Sequence, residues 1–298
     1  MMSTVATVVG LSYLAIHPIA QAEASIQKGA AAGDATSVVN QEKAVTSEAD
    51  LAKQLQNPVS DLVSVPMENR FDFGPGSTKR YTLSIMPVIP IDLTSDWLIV
   101  SRTILPVIAA QKPVGGEPSF DEVGVSPVGN GPTVGGIGDI TQSFFLAPKQ
   151  PTEGWIWGAG PVFRLPTASQ SSFGQGEWGA GPTGVALRQD GPWTYGMLAN
   201  HIWSFAGWGS QSVNSTYLQP FLAYTTDSLT TFGLGSETGY SWAQKQWVVP
   251  IDATISQMVE IGKMPVSFGL GGRVYAERPR GGPNWGLTFT VTLAFPTK

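Results

Sequence analysis

The residues with the strongest claim to covalent chemistry form a small set. Histidine occurs only at His17 and His201, and cysteine is absent, which excludes thiolate metal sites, cysteine nucleophiles and disulfides. A hydrolytic site would use His201 as base, Ser204 as nucleophile and Asn200 as orienting amide. The neighbours of His201 argue against it. Trp193, Tyr195, Met197, Trp203 and Phe205 share its parity, so the ring belongs to an apolar row and reads as an amphipathic side chain near a strand end. No residue is assigned a catalytic role. Asp139 has no partners at metal-binding spacing, and no run of acids matches a calcium loop. Gly135-Gly136-Ile137-Gly138 precedes a strand rather than a helix, so it is a turn and not a phosphate cradle. No metal and no cofactor are expected.

A second set is electrostatic. Period-two alternation places Asp139, Arg164, Glu237, Asp252 and Arg273 on the polar face of their strands, and Arg102 is the sixth candidate for the lumen. The same rule adds Ser64, Glu68, Arg70 and Asp72, then Arg80, Thr82, Ser84 and Asp92, and also Glu277. Arg102 and Arg188 lie on strands of mixed parity. They are placed on the polar face because an arginine facing lipid at the midplane costs about 2–4 kcal/mol. Acids and bases sharing one interior can line a selective pore or can simply lock a barrel with salt bridges. Both readings stay open at this level.

The elements that must position these charges follow from composition. The chain has 298 residues, 42% hydrophobic and only 13% charged, against the quarter usual for soluble domains. Yet its longest apolar run, Val5 to Ile16, falls short of the ~18 residues of a membrane helix. Gly (35) and Pro (23) are abundant, as many tight turns require. The net charge of −5 is dispersed, with no basic cluster, so nucleic acid is not an expected partner.

Alternation is cleanest at the C-terminus. Trp285, Leu287, Phe289, Val291, Leu293 and Phe295 fall on one face, with Gly, Thr and Ala on the other. Twelve candidate strands lie near 61–73, 79–92, 96–109, 136–147, 154–166, 177–188, 193–206, 216–226, 229–241, 246–257, 264–276 and 284–295. Most exceed the ~5–6 residues of soluble strands and reach the ~9–11 that cross a bilayer. Connections after even-numbered strands are mostly short, as at Leu93-Thr94-Ser95 and Asp227-Ser228. The others are mostly longer, above all Ala110 to Gly135. Short turns on one side and long loops on the other, with Trp and Tyr near strand ends, are the layout of outer-membrane barrels. Twelve is even, so both chain ends are expected on the short-turn, periplasmic side. The expected fold is all-β: a closed antiparallel transmembrane β-barrel of 12 strands with a short N-terminal helix.

Three regions follow. Residues 1–24 read as a secretory signal: an apolar core, a break at His17-Pro18, and small-residue cleavage sites at Ala20-Gln21-Ala22 or Ala22-Glu23-Ala24. No Lys or Arg precedes the core, which is atypical. Residues 25–58 read as a flexible periplasmic leader carrying a helix of about ten residues, with Ser47 as its cap and Asn57-Pro58 as its stop. That helix could plug a pore or lead into the first strand, and the second is the expectation. Residues 59–298 form the barrel.

Four blocks carry a family resemblance: NPVSDLVSVPMENRFDFGPG, LSIMPVIPIDLTSDWLIVSRTILPVI, GGIGDITQSFFLAP and WGAGPVFRLPTA. They resemble the meta-pathway phenol-degradation family of bacterial outer-membrane proteins. The likeness extends over essentially everything after the leader, and Arg102 and Asp139 fall inside its blocks. It implies localisation in the cell outer membrane and passage of small hydrophobic or aromatic compounds. The expected function is passive transport of a small-molecule solute, with outer-membrane lipid as the other partner. A filled structural or surface-interaction barrel is the alternative, and an outer-membrane hydrolase the third.

Overall fold

A strand that alternates apolar and small polar residues can stand between lipid and water, and in this computed structural model twelve such strands close on themselves. The structure describes residues 48–75, 79–111, 133–209 and 212–295. All belong to one compact unit, 46–298. The signal, most of the leader, the Ser47 cap and most of the Ala110 to Gly135 stretch lie outside the described residues. No helix among them is long and apolar enough to cross a membrane.

In chain order the elements are α1 (Glu48–Gln54), β1 (Val63–Phe73), β2 (Lys79–Ile85), β3 (Val88–Asp92), β4 (Trp97–Gln111), β5 (Thr133–Ile137), β6 (Ile140–Pro148) and β7 (Trp155–Leu165). They continue as β8 (Glu177–Asp190), β9 (Trp193–Gly207), β10 (Asn214–Thr225), β11 (Thr230–Gly235), β12 (Thr238–Ser241), β13 (Gln246–Ile261), β14 (Met264–Glu277) and β15 (Trp285–Phe295). Three pairs, β2/β3, β5/β6 and β11/β12, are single staves with a two-residue break, which leaves twelve staves. Register is continuous across the β2/β3 and β11/β12 breaks, so in/out parity is kept there. At β5/β6 it shifts by one residue against β4, and the inward parity changes from Gly136 to Ser143. Two of the breaks, at Gly138-Asp139 and Ser236-Glu237, carry one of the acids expected in the lumen. The third, at Met86-Pro87, falls where proline has no N–H to give to the ladder.

Closure is complete. β1 pairs with β15 over eleven positions, from Val63↔Phe295 to Phe73↔Trp285. Every other stave pairs antiparallel with its chain neighbours, including β9 with β10. Lipid cannot satisfy an open strand edge, so this zipping of first to last strand is what permits the barrel in a bilayer. The turns at one end are tight. Gly191-Pro192 joins β8 to β9, and Gly262-Lys263 joins β13 to β14, with positive φ at both glycines (55° and 72°) as a hairpin with glycine in first position requires.

The outer face is apolar and ringed by aromatics at both ends. Near the short turns Trp97 meets Trp157, Trp155 meets Tyr195 and Trp193 meets Tyr224. Near the long loops Phe73 stacks on Trp285, and Tyr240 sits between Trp242 and Trp247. Amphipathic rings at two levels mark the two interfaces of a membrane. Between them Leu270 is 62% exposed. Leu270→Arg is expected to cost about 2–4 kcal/mol, because the guanidinium would face hydrocarbon. Loss of heat-modifiable migration at a lower denaturant concentration than the parent would show this; an unchanged midpoint would place this face away from lipid.

Two parity assignments are corrected. Arg188 does not face the lumen. It pairs directly with Trp155 and Tyr195 on the outer face, two residues from a short turn, where its stem can lie along the rings and its head reach the interface. The lipid penalty that argued for an inward position applies at the midplane and not at this depth. Glu277 lies exposed at the end of β14, beyond a register shift at Val249/Pro250, where Gln246 donates to it. The irregularity ends the alternation that had placed it inside.

Candidate functional site

Side chains that alternate inward meet in the lumen, and here they divide it into two unlike sectors. The β4, β6 and β8 strands have apolar residues on both faces. Their inward members Val100, Phe145 and Leu187 are fully buried and pack with Leu198 of β9, Val88 of β3 and Val59. This sector is a packed core, and the small inward residues of the last strand line the opposite side.

On that opposite side the charges meet. The Arg70 Nη2 donates to Glu68 Oε1 at 2.8 Å and lies 3.5 Å from Glu237 Oε2. The Arg273 Nη2 donates to Glu237 Oε2 at 2.8 Å and to Asp252 Oδ2 at 3.0 Å, and its Nε donates to Asp252 Oδ1. Four strand steps separate β1 from the β11/β12 stave, about 19 Å of wall. Arg70 and Glu237 therefore reach across the lumen rather than along it. They can do so because β15 between them presents only small residues inward, Gly286, Thr288, Thr290, Thr292 and Ala294. Tyr275 donates its hydroxyl to Asp72 at 2.9 Å, which fixes the acid next to this bar.

Two cavities lie on either side of the bar. The one toward the long loops, about 70 Å³, is walled by Arg80, Ile108, Asp139, Phe173 and Tyr217 among others. The one toward the short turns, about 280 Å³, is walled by Leu55 to Pro58, Phe221, Thr254 and Thr290. Arg102 and Glu237 line both. The expected path residues thus separate into groups. Arg102, Glu237, Asp252 and Arg273 all line the larger cavity. Asp139 lies above it, where its carboxylate accepts the backbone N–H of Ala168 and of Gln175. Arg164 faces inward but is only 2% exposed and does not line either cavity. Asp92 is at the rim, paired with Lys149 at 2.6 Å, whereas Arg80 lies in the lumen itself.

Asp139 has a mechanical role. Its two accepted hydrogen bonds fold residues 166–176 inward, so that Phe173 closes over the upper cavity. The approach is so close that a Cβ on Gly174 would collide with the Asp139 carboxylate. Asp139→Ala removes both acceptors at a cost of about 1–3 kcal/mol. Faster cleavage of this segment by thermolysin at Phe173 is the expected sign; unchanged protection would show that the segment is held by other means.

The helix expectation is also corrected in its consequence. α1 occupies seven of the ten or so predicted positions and ends at Gln54, and the turn after it reaches Asn57, whose Oδ1 accepts the Val59 N–H. It does more than lead into β1. Leu51 and Ala52 are buried with Leu62, Met258 and Ala294, and Gln189 Nε2 donates to the Lys53 carbonyl. All these partners stand at the short-turn end, so the segment fills part of that mouth. The short amphipathic pattern announces a helix but not what covers its apolar side.

His201 faces outward, as its row implied. Its Nδ1 lies 2.7 Å from Thr216 Oγ1, which also accepts from Trp242 Nε1, and its ring stands 4.0 Å from that of Trp203. Ser204 has the opposite parity, and its hydroxyl accepts the Val213 N–H. Among the described residues no cluster of His, Asp and Glu could hold a metal ion.

No family model matches the sequence, and no curated protein does. Solved structures share the fold. An outer membrane channel from Pseudomonas putida F1 superposes with a TM-score of 0.56 at 16% identity, over 78% of this chain and 94% of that one. The NanC porin covers 78% of this chain and 100% of its own at 10% identity, with a TM-score of 0.45. The first of these likenesses supports the closed transmembrane barrel architecture.

Proposed function

We propose that this chain is an outer-membrane channel for passive diffusion of small solutes, hydrophobic or aromatic ones among them. In this reading residues 1–24 serve as export signal and 25–58 as a periplasmic leader. The observation that carries it is the pair of cavities sharing Arg102 and Glu237, which sets a narrow polar route beside the packed apolar sector. Selectivity then comes from the charge bar and the width beside it. The four sequence blocks that resemble the meta-pathway phenol-degradation family fit the same reading.

The packed sector and the segment in the mouth favour a second reading, a filled barrel without transport. Swelling of liposomes holding the purified full chain separates the two. Entry of arabinose faster than into protein-free liposomes supports the channel. Equal rates with folded, heat-modifiable protein would leave the filled barrel.

A further inference from the structure

Arg102 differs from the arginines around it. Arg70 and Arg273 are each held by two acids. Arg102 forms no hydrogen bond or ion pair with any other described residue. Its cross-strand partners are Val88 and Ser143, and its inward neighbours along β4 are Val100 and Ile104. A guanidinium is thus planted on an apolar wall with its donors turned to the two cavities. The charge bar opposite keeps its own acids occupied.

Such a fork presents paired N–H donors in one plane, the geometry that matches a carboxylate. A positive charge that forms no ion pair of its own, with Glu237 nearby already bonded to Arg273, suits a monoanion. The flanking Val88 and Ile104, which line the cavities, suit an apolar body attached to that head, and a purely inorganic anion would leave them unused. We infer that Arg102 is the anchor of a binding site for small amphipathic monocarboxylates in the lumen, at the wall that the two cavities share. The site rests on the channel reading for its purpose, but its occupancy can be measured without transport.

The solute docks by exchange of water for charge-assisted hydrogen bonds, carboxylate on Arg102 and body along the wall. It leaves readily because only one cation holds it, as a conducting path requires.

The test is calorimetric titration of the detergent-solubilised full chain with benzoate, benzamide and acetate. Benzoate is expected to bind, with benzamide, its neutral isostere, and acetate, which lacks the ring, each weaker by roughly tenfold or more. Arg102→Gln is expected to weaken benzoate by a similar factor. Arg102→Lys, which keeps the charge and loses the fork, is expected to fall between, and Arg188→Gln, altered on the outer face, to match the parent. Heat-modifiable migration checks that each variant is folded. Benzamide binding as tightly as benzoate, acetate equalling benzoate, or Arg102→Gln retaining full affinity would each overturn the assignment. Benzoate binding with this pattern in a protein that fails to swell liposomes would refute the channel and leave the site standing.

Discussion

Between asymmetric KCl solutions, the Glu237→Gln variant is expected to shift its reversal potential toward that of chloride and to unfold at lower denaturant concentration than the parent. Glu237 is the acid common to both arginines of the bar, at 3.5 Å from Arg70 and 2.8 Å from Arg273. Glutamine keeps its size and removes its charge, so two guanidinium groups then face the lumen with one fewer acid between them. Breaking a fully buried pair costs about 3–5 kcal/mol. The Glu237 side chain is 22% exposed to the lumen, so water offsets part of this and about 1–3 kcal/mol is expected. The electrical change is the larger effect, because one net positive charge is added where the two cavities share their wall, and local potential there governs which ion enters. An unchanged reversal potential would mean that ions do not pass the bar.

Removal of residues 48–57 is expected to enlarge the unitary conductance on the order of twofold or more, by opening the short-turn mouth. The deletion leaves the barrel register intact, since pairing with β15 begins at Val63. It removes Leu55 to Asn57 from the wall of the larger cavity and exposes Met258 and Ala294. The point variant Leu51→Asp tests the same idea without shortening the chain. Its carboxylate would sit among Leu62, Met258 and Ala294, an apolar site that disfavours charge, and the segment is expected to leave the mouth. If both variants conduct like the parent, the segment does not obstruct the path.

The strands were legible because lipid and lumen impose opposite chemistry on alternate residues, and the alternation persists to the membrane boundary. The expected boundaries fall close to those of the structure, and β13 runs to Ile261, four residues past its expected end, into a two-residue turn. The charge bar was legible in its members but not in its pairing. Parity puts Arg273, Asp252 and Glu237 inside, while register decides that they meet.

The failures have physical causes. Arg188 escaped a rule valid at the midplane because it sits at the interface, and Glu277 escaped it because a register shift intervenes. The apolar sector had a signal that was available and differently weighed. In Leu98-Ile99-Val100 and again in Phe144-Phe145-Leu146 both parities are apolar, the pattern of a strand buried on both faces. The role of residues 166–176 and of α1 depends on tertiary approach, through Asp139 and through Leu51, which no local period encodes.

The central claim is that this lumen is an open path despite its packed half. Single-channel recording of the purified full chain in a planar bilayer tests it most directly. Discrete unitary currents are predicted, smaller than those of 16–18-stranded porins, whose wider barrels leave an aqueous channel. Insertion of folded, heat-modifiable protein with no current above the bare bilayer would contradict it.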